Sequence, residues 1–125
     1  MTAPFENLRI LDFTIMMQGP HATQMLADLG ADVIKVERPT PPAGRPDERY
    51  GVHGGYGRTE EDSTFGATTF LAHNRNKRSI VIDLKQARGK EIVRRLLETC
   101  DVVYENFRPG VMSRLGFGYE DCCKM

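Results

Sequence analysis

Three successive short apolar runs end in a cation, or in an amide beside an aromatic ring. That pattern suits a phosphorylated ligand carrying a stackable base. Arg38 follows the run at residues 32–37, Lys85 ends the run at 79–84, and Asn106, Phe107 and Arg108 follow the run at 101–105. A guanidinium presents a fork of donors to a phosphate. Phe107 could pack on a base, and Asn106 could hydrogen-bond its edge or a ribose. Upstream, Met17-Gln18-Gly19-Pro20 follows the first apolar run, where backbone N–H groups at a helix start suit an anion. The stretch is neither Gly-x-Gly-x-x-Gly nor a Walker A sequence, so NAD and ATP have no direct support. A plain connection accounts for this turn as well as a site does. The basic cluster Arg75, Lys77 and Arg78, taken alone, reads as a solvated face.

Catalytic candidates are fewer. His21, His53 and His73 are scattered, with no carboxylate or nucleophile at a diagnostic spacing. Asp12 lies inside an apolar run and reads as a hydrogen-bonded structural acid, as does Asp83 beside Lys85. Cys100, Cys122 and Cys123 fit neither a disulfide framework nor a zinc site, which leaves reduced thiols and no metal.

The elements that would position these residues alternate. Residues 8–13 read as a buried strand, followed by a tight turn at Gly19 and a helix over 21–29 with Pro20 at its first position. That helix places Ala22, Met25, Leu26 and Leu29 at helical spacing and stops at Gly30. Residues 32–37 form a second strand, completing a βαβ unit with a right-handed crossover. Residues 39–63 are rich in proline and glycine and read as a long loop. A helical turn over 65–73 precedes a third strand at 79–84. An amphipathic helix over 86–99 puts Ile92, Val93, Leu96 and Leu97 on one face. A fourth strand at 101–105, a short helix at 111–115 closed by Gly116, and the opening turns of another helix from Tyr119 complete the chain. The alternation predicts an α/β fold, a mostly parallel sheet flanked by helices.

Composition supports one globular domain: 125 residues, 40% apolar and 27% charged, are near soluble averages, so disorder is not expected. Net charge is zero. Residues 1–62 carry six basic and ten acidic side chains and residues 63–125 carry eleven and seven, too weak an asymmetry for a nucleic-acid partner. No apolar run approaches the ~20 residues that span a bilayer, so no membrane partner is expected. The start shows no secretory pattern, and we expect a cytoplasmic protein, with mitochondrial or peroxisomal placement left open. The chain reads as ending inside a helix, so a fragment or truncated product is expected.

The phrases LDFT, GPHATQMLADLGADVIKVERP, NRNKRSIVIDLK and ARGKEIVRRLLETCDVVYENFRPGVMSRLGFGYE together resemble the N-terminal region of family III CoA-transferases. That group includes formyl-CoA transferase, carnitine CoA-transferases and the α-methylacyl-CoA racemases. Met1-Thr2-Ala3-Pro4 and Thr23-Gln24-Met25 look closest to the formyl-CoA/oxalate branch. The resemblance implies the N-terminal part of a Rossmann-like, CoA-binding domain and an interlocked, ring-shaped homodimer. It implies no tightly bound cofactor, with CoA or acyl-CoA and a carboxylic acid as substrates. Carried over by motif position, CoA contacts fall on Met17, Gln18, Arg38, Ile82, Asp83, Leu84, Lys85, Asn106, Phe107, Arg108 and Arg114. Met17-Gln18 departs from the Gln-Ala-like pair of the formyl branch, and the contact carried over at this pair is that of its backbone. The loop after Arg38 is longer than usual. The family's aspartate nucleophile, and the racemase His and Asp, follow residue 125 in motif order, so no catalytic residue is assigned within this chain. An acyl-CoA racemase part, or a non-catalytic CoA-binding remnant, are the alternatives.

Overall fold

The structure, a computed structural model, describes residues 2–39 and 68–125. All but residue 39 of the expected proline- and glycine-rich loop lies outside them. The first strand, β1 (Arg9–Asp12), is followed by α1 (Gln18–Asp28), β2 (Asp32–Glu37), α2 (Thr68–Asn74) and β3 (Arg78–Val81). Next come α3 (Ala87–Leu97), β4 (Val102–Tyr104), α4 (Val111–Leu115) and α5 (Tyr119–Cys122). The four described strands make one sheet in the order β3-β2-β1-β4. Every pairing is parallel: Arg9 is level with Asp32, Ile10 with Val102, and Ile34 with Arg78.

Alternation along the strands divides the interior in two. Leu11, Phe13, Ile34 and Val36 point to one face and join Ile82, Val93, Met112 and Phe117 from the α3 and α4 side. Ile10 and Val33 point to the other, against Ala27 and Ala31 from α1 and the turn after it. Each strand of this pair is therefore buried on both faces, as a parallel sheet requires.

The expected strands and helices are present, with three differences of detail. Helix α1 begins at Gln18, so Pro20 occupies its third position instead of its first. The first N–H groups of a helix have no intrahelical partner, so the ring costs nothing there. The buried face of α1 is Pro20, Thr23, Gln24 and Ala27, while Met25 is 54% exposed and Leu29 45% exposed. The sequence stripe is thus rotated away from the sheet, because the part of the sheet under α1 carries Asp12 and Lys35 and calls for polar partners. In α3, Val93 is fully buried but Ile92 is exposed; Gly89 and Val93 lead the inward face. Gly30, at φ +104°, ends α1 as expected.

Candidate functional site

The chain runs from β1 to β2 to β3 in one direction across the sheet, and β4 then adds on the opposite side of β1. At such a reversal the turns leaving the two central strands part, and ligands of open α/β sheets bind in the crevice they leave. Here those turns are the one from β1 into α1 and the one from β4 into α4.

The two turns are tied together. Ile15 donates its N–H to Asn106 Oδ1 at 2.9 Å, and Asn106 Nδ2 donates to the Ile15 carbonyl at 2.8 Å. Asn106 thus copies a strand partner for a residue past the strand end. Gly19 lets the first turn of α1 come close: a Cβ there would lie 2.5 Å from Thr14 Cβ and 3.1 Å from Asn106 Nδ2. Met16, between the clamped Ile15 and the helix, is left-handed at φ +70°. A bulky residue holds that conformation only where its surroundings impose it. Met17, the N-cap residue, supplies no side-chain hydrogen bond, and the first turn of α1 carries no acid. Positive potential at this helix end is therefore not cancelled locally.

Under the turn lies a buried ionic network. Asp12, fully buried, accepts from Thr14 N at 2.8 Å, Thr14 Oγ1 at 2.5 Å, Thr23 Oγ1 at 2.7 Å and Lys77 Nζ at 3.1 Å. Lys35 Nζ stands 3.6 Å from Asp12 Oδ1 and donates to the Thr14 carbonyl. Burial pushes the Asp12 carboxyl up, but Lys35, Lys77 and the two threonine hydroxyls outweigh it, so its pKa lies below the ordinary value. Burial pulls the Lys77 ammonium down to about 8, against the opposing pull of Asp12. Asp12 is thus buried and hydrogen-bonded, the environment expected of it from the sequence.

The basic cluster does not face water as one surface. Arg75 pairs with Asp28 at 2.6 Å and Arg78 with Asp32 at 2.7 Å, where Arg9 also bonds Asp32 at 2.7 Å. Both acids sit at the strand-start end of the sheet, away from the β1–α1 turn. The Lys77 side chain is 1% exposed on Asp12, so the solvated-face reading is corrected for that residue.

The remaining expected contacts follow strand ends on the same edge of the sheet. Met17 and Gln18 are exposed at the mouth of the first turn, and Arg38 is exposed directly after β2. Beyond β3, Ile82 N–H bonds the Glu37 carbonyl at 2.8 Å and its side chain is in the core, so only its backbone is available. Asp83 Oδ1 accepts from Lys85 N at 3.0 Å, Leu84 packs inward, and the Lys85 side chain is exposed. Phe107 rests partly on the α3-side core while its N–H bonds Glu105 Oε2 at 2.7 Å. Arg108 and Arg114 are exposed, and Arg114 Nη1 would be 3.2 Å from a Cβ on Gly110, which places it over the β4–α4 turn. Lys35, Lys77, Thr14 and Thr23 were missed as supports of the turn. Lys35 gave one signal, as a lone cation in an otherwise apolar strand core.

Fold and strand ends together define an α/β protein whose sheet carries backbone donors and cations along the edge where its parallel strands finish. The model of CoA-transferase family III matches residues 5–125, and the chain belongs to that family. Over 122 residues it is 46% identical to the mouse succinyl-CoA:glutarate CoA-transferase, covering 98% of this chain and 26% of that protein. Over 121 residues it is 45% identical to the formyl-CoA:oxalate CoA-transferase of Rhodopseudomonas palustris, covering 96% of this chain and 26% of that one. The two similarities are level, so they do not separate the formyl-CoA/oxalate branch from its neighbours. Among solved structures, a hypothetical protein of Mycobacterium tuberculosis superposes with a TM-score of 0.76 at 40% identity, over 98% of this chain and 30% of the other. A CAIB/BAIF family protein from Brucella suis gives 0.75 at 35% identity, over 99% and 31%. The chain thus spans about a quarter of the length of its curated relatives. No helix among the described residues is long and apolar enough to cross a membrane.

Proposed function

We propose that this chain supplies the CoA-holding part of an enzyme that moves CoA from an acyl-CoA thioester to a carboxylic acid. The observation that carries this reading is the pair of turns at the strand-order reversal, locked to each other through Asn106 and Ile15. Backbone N–H groups at the open start of α1 would take a phosphate oxygen of the carrier. Arg38, Lys85, Arg108 and Arg114 would neutralise the others, and Phe107 would offer part of its ring to the adenine.

The transfer itself would use an aspartate outside this stretch. Its carboxylate attacks the thioester carbonyl, CoA leaves as thiolate, and an acyl-aspartyl anhydride forms. The thiolate then attacks the aspartyl carbonyl, releasing the first acid and leaving an aspartyl-CoA thioester for the second acid to take. No acid within this chain receives that role, so residues 1–125 alone would bind without turning over. An interlocked homodimer would complete the assembly.

Calorimetric titration of CoA into the full-length gene product tests the reading. Arg38→Ala and Lys85→Ala should each weaken CoA by about ten- to a hundredfold, the worth of one charged hydrogen bond, while the melting temperature changes little. Unchanged affinity in both variants would remove the site from this edge. Transfer of CoA to an added acid, as opposed to exchange of an α-proton, separates the transferase from the racemase alternative.

A further inference from the structure

Lys77 makes three contacts with one nitrogen. Its Nζ is 3.1 Å from Asp12 Oδ2, 2.8 Å from the Pro20 carbonyl and 2.8 Å from Asn74 Oδ1. An ammonium has three N–H donors and an amine has two, so all three contacts can be satisfied only by the protonated form. The acceptors belong to three elements: Asp12 ends β1, Pro20 lies in the first turn of α1, and Asn74 ends α2. Asp12 in turn holds Thr14 by its N–H and hydroxyl, and Lys35 holds the Thr14 carbonyl. Thr14 is two residues before the left-handed Met16.

We infer that Lys77 is a positioning residue: its three-way contact fixes the β1–α1 turn in the shape that accepts CoA, without touching the ligand. The inference rests on the proposed CoA site and adds to it a regulator of affinity. Loss of one Lys77 proton obliges one of the three contacts to open, which frees the start of α1 from β1 or from α2. Because burial places that loss at about 8, slightly alkaline solution is enough to produce it.

The charged groups acting on Lys77 are Asp12 from β1 and Lys35 from β2, with Glu37 acting on Lys35. His21 of α1 and His73 of α2 pack edge to face beside this network, with ring centres 5.6 Å apart. Fold stability and affinity should move in opposite directions. The folded pKa of about 8 lies below the ordinary 10.5, so the unfolded chain holds its proton longer as pH rises. Stability from this group is therefore full above the unfolded value and lost as pH falls through the folded one. A purely structural Lys77 would then make binding no weaker at alkaline pH; a positioning Lys77 makes it weaker.

The test is CoA affinity of the full-length gene product at about pH 7 and about pH 9, with wild type, Lys77→Met and Asn74→Ala. Wild type should weaken by about two- to tenfold between the two conditions, the worth of one hydrogen bond. Lys77→Met should be weak at both. In Asn74→Ala the two donors of the neutral amine still meet both remaining acceptors, so its affinity should be nearly level with pH; this arm stands even if Lys77→Met fails to fold. Wild-type affinity that is level with pH, or an Asn74→Ala profile identical to a sloping wild-type one, overturns the inference. If Arg38→Ala weakens CoA but the Lys77 and Asn74 variants do not, only the positioning role falls. A wild type that does not bind CoA at either pH defeats the site as well.

Discussion

Replacing Asp12 with alanine should cost the fold about 3–5 kcal/mol, the usual result of removing one partner from a buried ionic group. Lys35 is 5% exposed, and the Lys77 side chain is 1% exposed. Without Asp12 these two cations would share a dry space with no carboxylate between them, the Thr14 hydroxyl would lose its acceptor, and the Thr23 hydroxyl would keep only the longer contacts to the Gly19 and Pro20 carbonyls. Asp12→Asn keeps the shape and loses the charge, so it should fall between alanine and wild type. Adding Lys35→Met and Lys77→Met to Asp12→Ala should recover part of the loss, since apolar groups of similar volume often replace a buried ion pair at little cost. Denaturant midpoints of the full-length protein measure the series. The same group governs acid stability. Its folded pKa is lowered from an ordinary 3.8, so the stability it contributes is present above 3.8 and is lost as pH falls through the folded value. Asp12→Asn should lack that acid-side loss. A wild-type-like midpoint for Asp12→Ala would mean that Lys35 and Lys77 reach solvent, which their burial contradicts.

How far the sequence led depended on whether a feature was local. Strand β2 was expected at 32–37 and α4 at 111–115, and both are found at those bounds. Each is bounded by residues that act locally, Gly30 before β2 and Gly116 after α4. Helix α1 was found from its punctuation, but its inward face was not, because Thr23 and Gln24 look like surface residues until Asp12 is known to stand opposite. The same non-local cause hid Lys77, which is separated from Asp12 by 65 positions and reads as one of three neighbouring cations. The candidate site was legible as a set of strand ends, since each lies within a few residues of its own apolar run. That the ends share one edge follows from all strands being parallel, and the βαβ pattern supplied that for β1 and β2. What no pattern supplied was Asn106 bonding both backbone groups of Ile15 across 91 positions. An Asn after a strand advertises a turn; which backbone it completes is decided only when β4 takes its place beside β1.

Gly89→Ala carries the second large effect, and its sign is the test. In most helix interiors the change stabilises by about 0.5–1 kcal/mol, because glycine gives up more backbone freedom than alanine. Gly89 sits where α3 meets the end of β3, and a Cβ there would overlap the Asp83 carbonyl oxygen and lie 2.9 Å from its carbon. It would also stand 3.1 Å from Ile82 Cγ2. The obstructing atoms are backbone, and the same carbonyl accepts the Gln86 N–H at 3.1 Å where α3 begins, so it cannot swing aside without opening that bond. Overpacking of this kind costs about 1–3 kcal/mol, which exceeds the propensity gain and makes the substitution destabilising. Relief can come only from α3 lifting or from the Asp83-Leu84-Lys85 segment shifting, and either moves Lys85. CoA affinity should therefore fall together with the denaturant midpoint, whereas Gly116→Ala, with φ +87° but no neighbour within 4 Å, should lower stability without touching affinity. A Gly89→Ala protein that melts higher than wild type would show α3 standing off the sheet, and the segment carrying Lys85 would then have no fixed place from which to hold a phosphate.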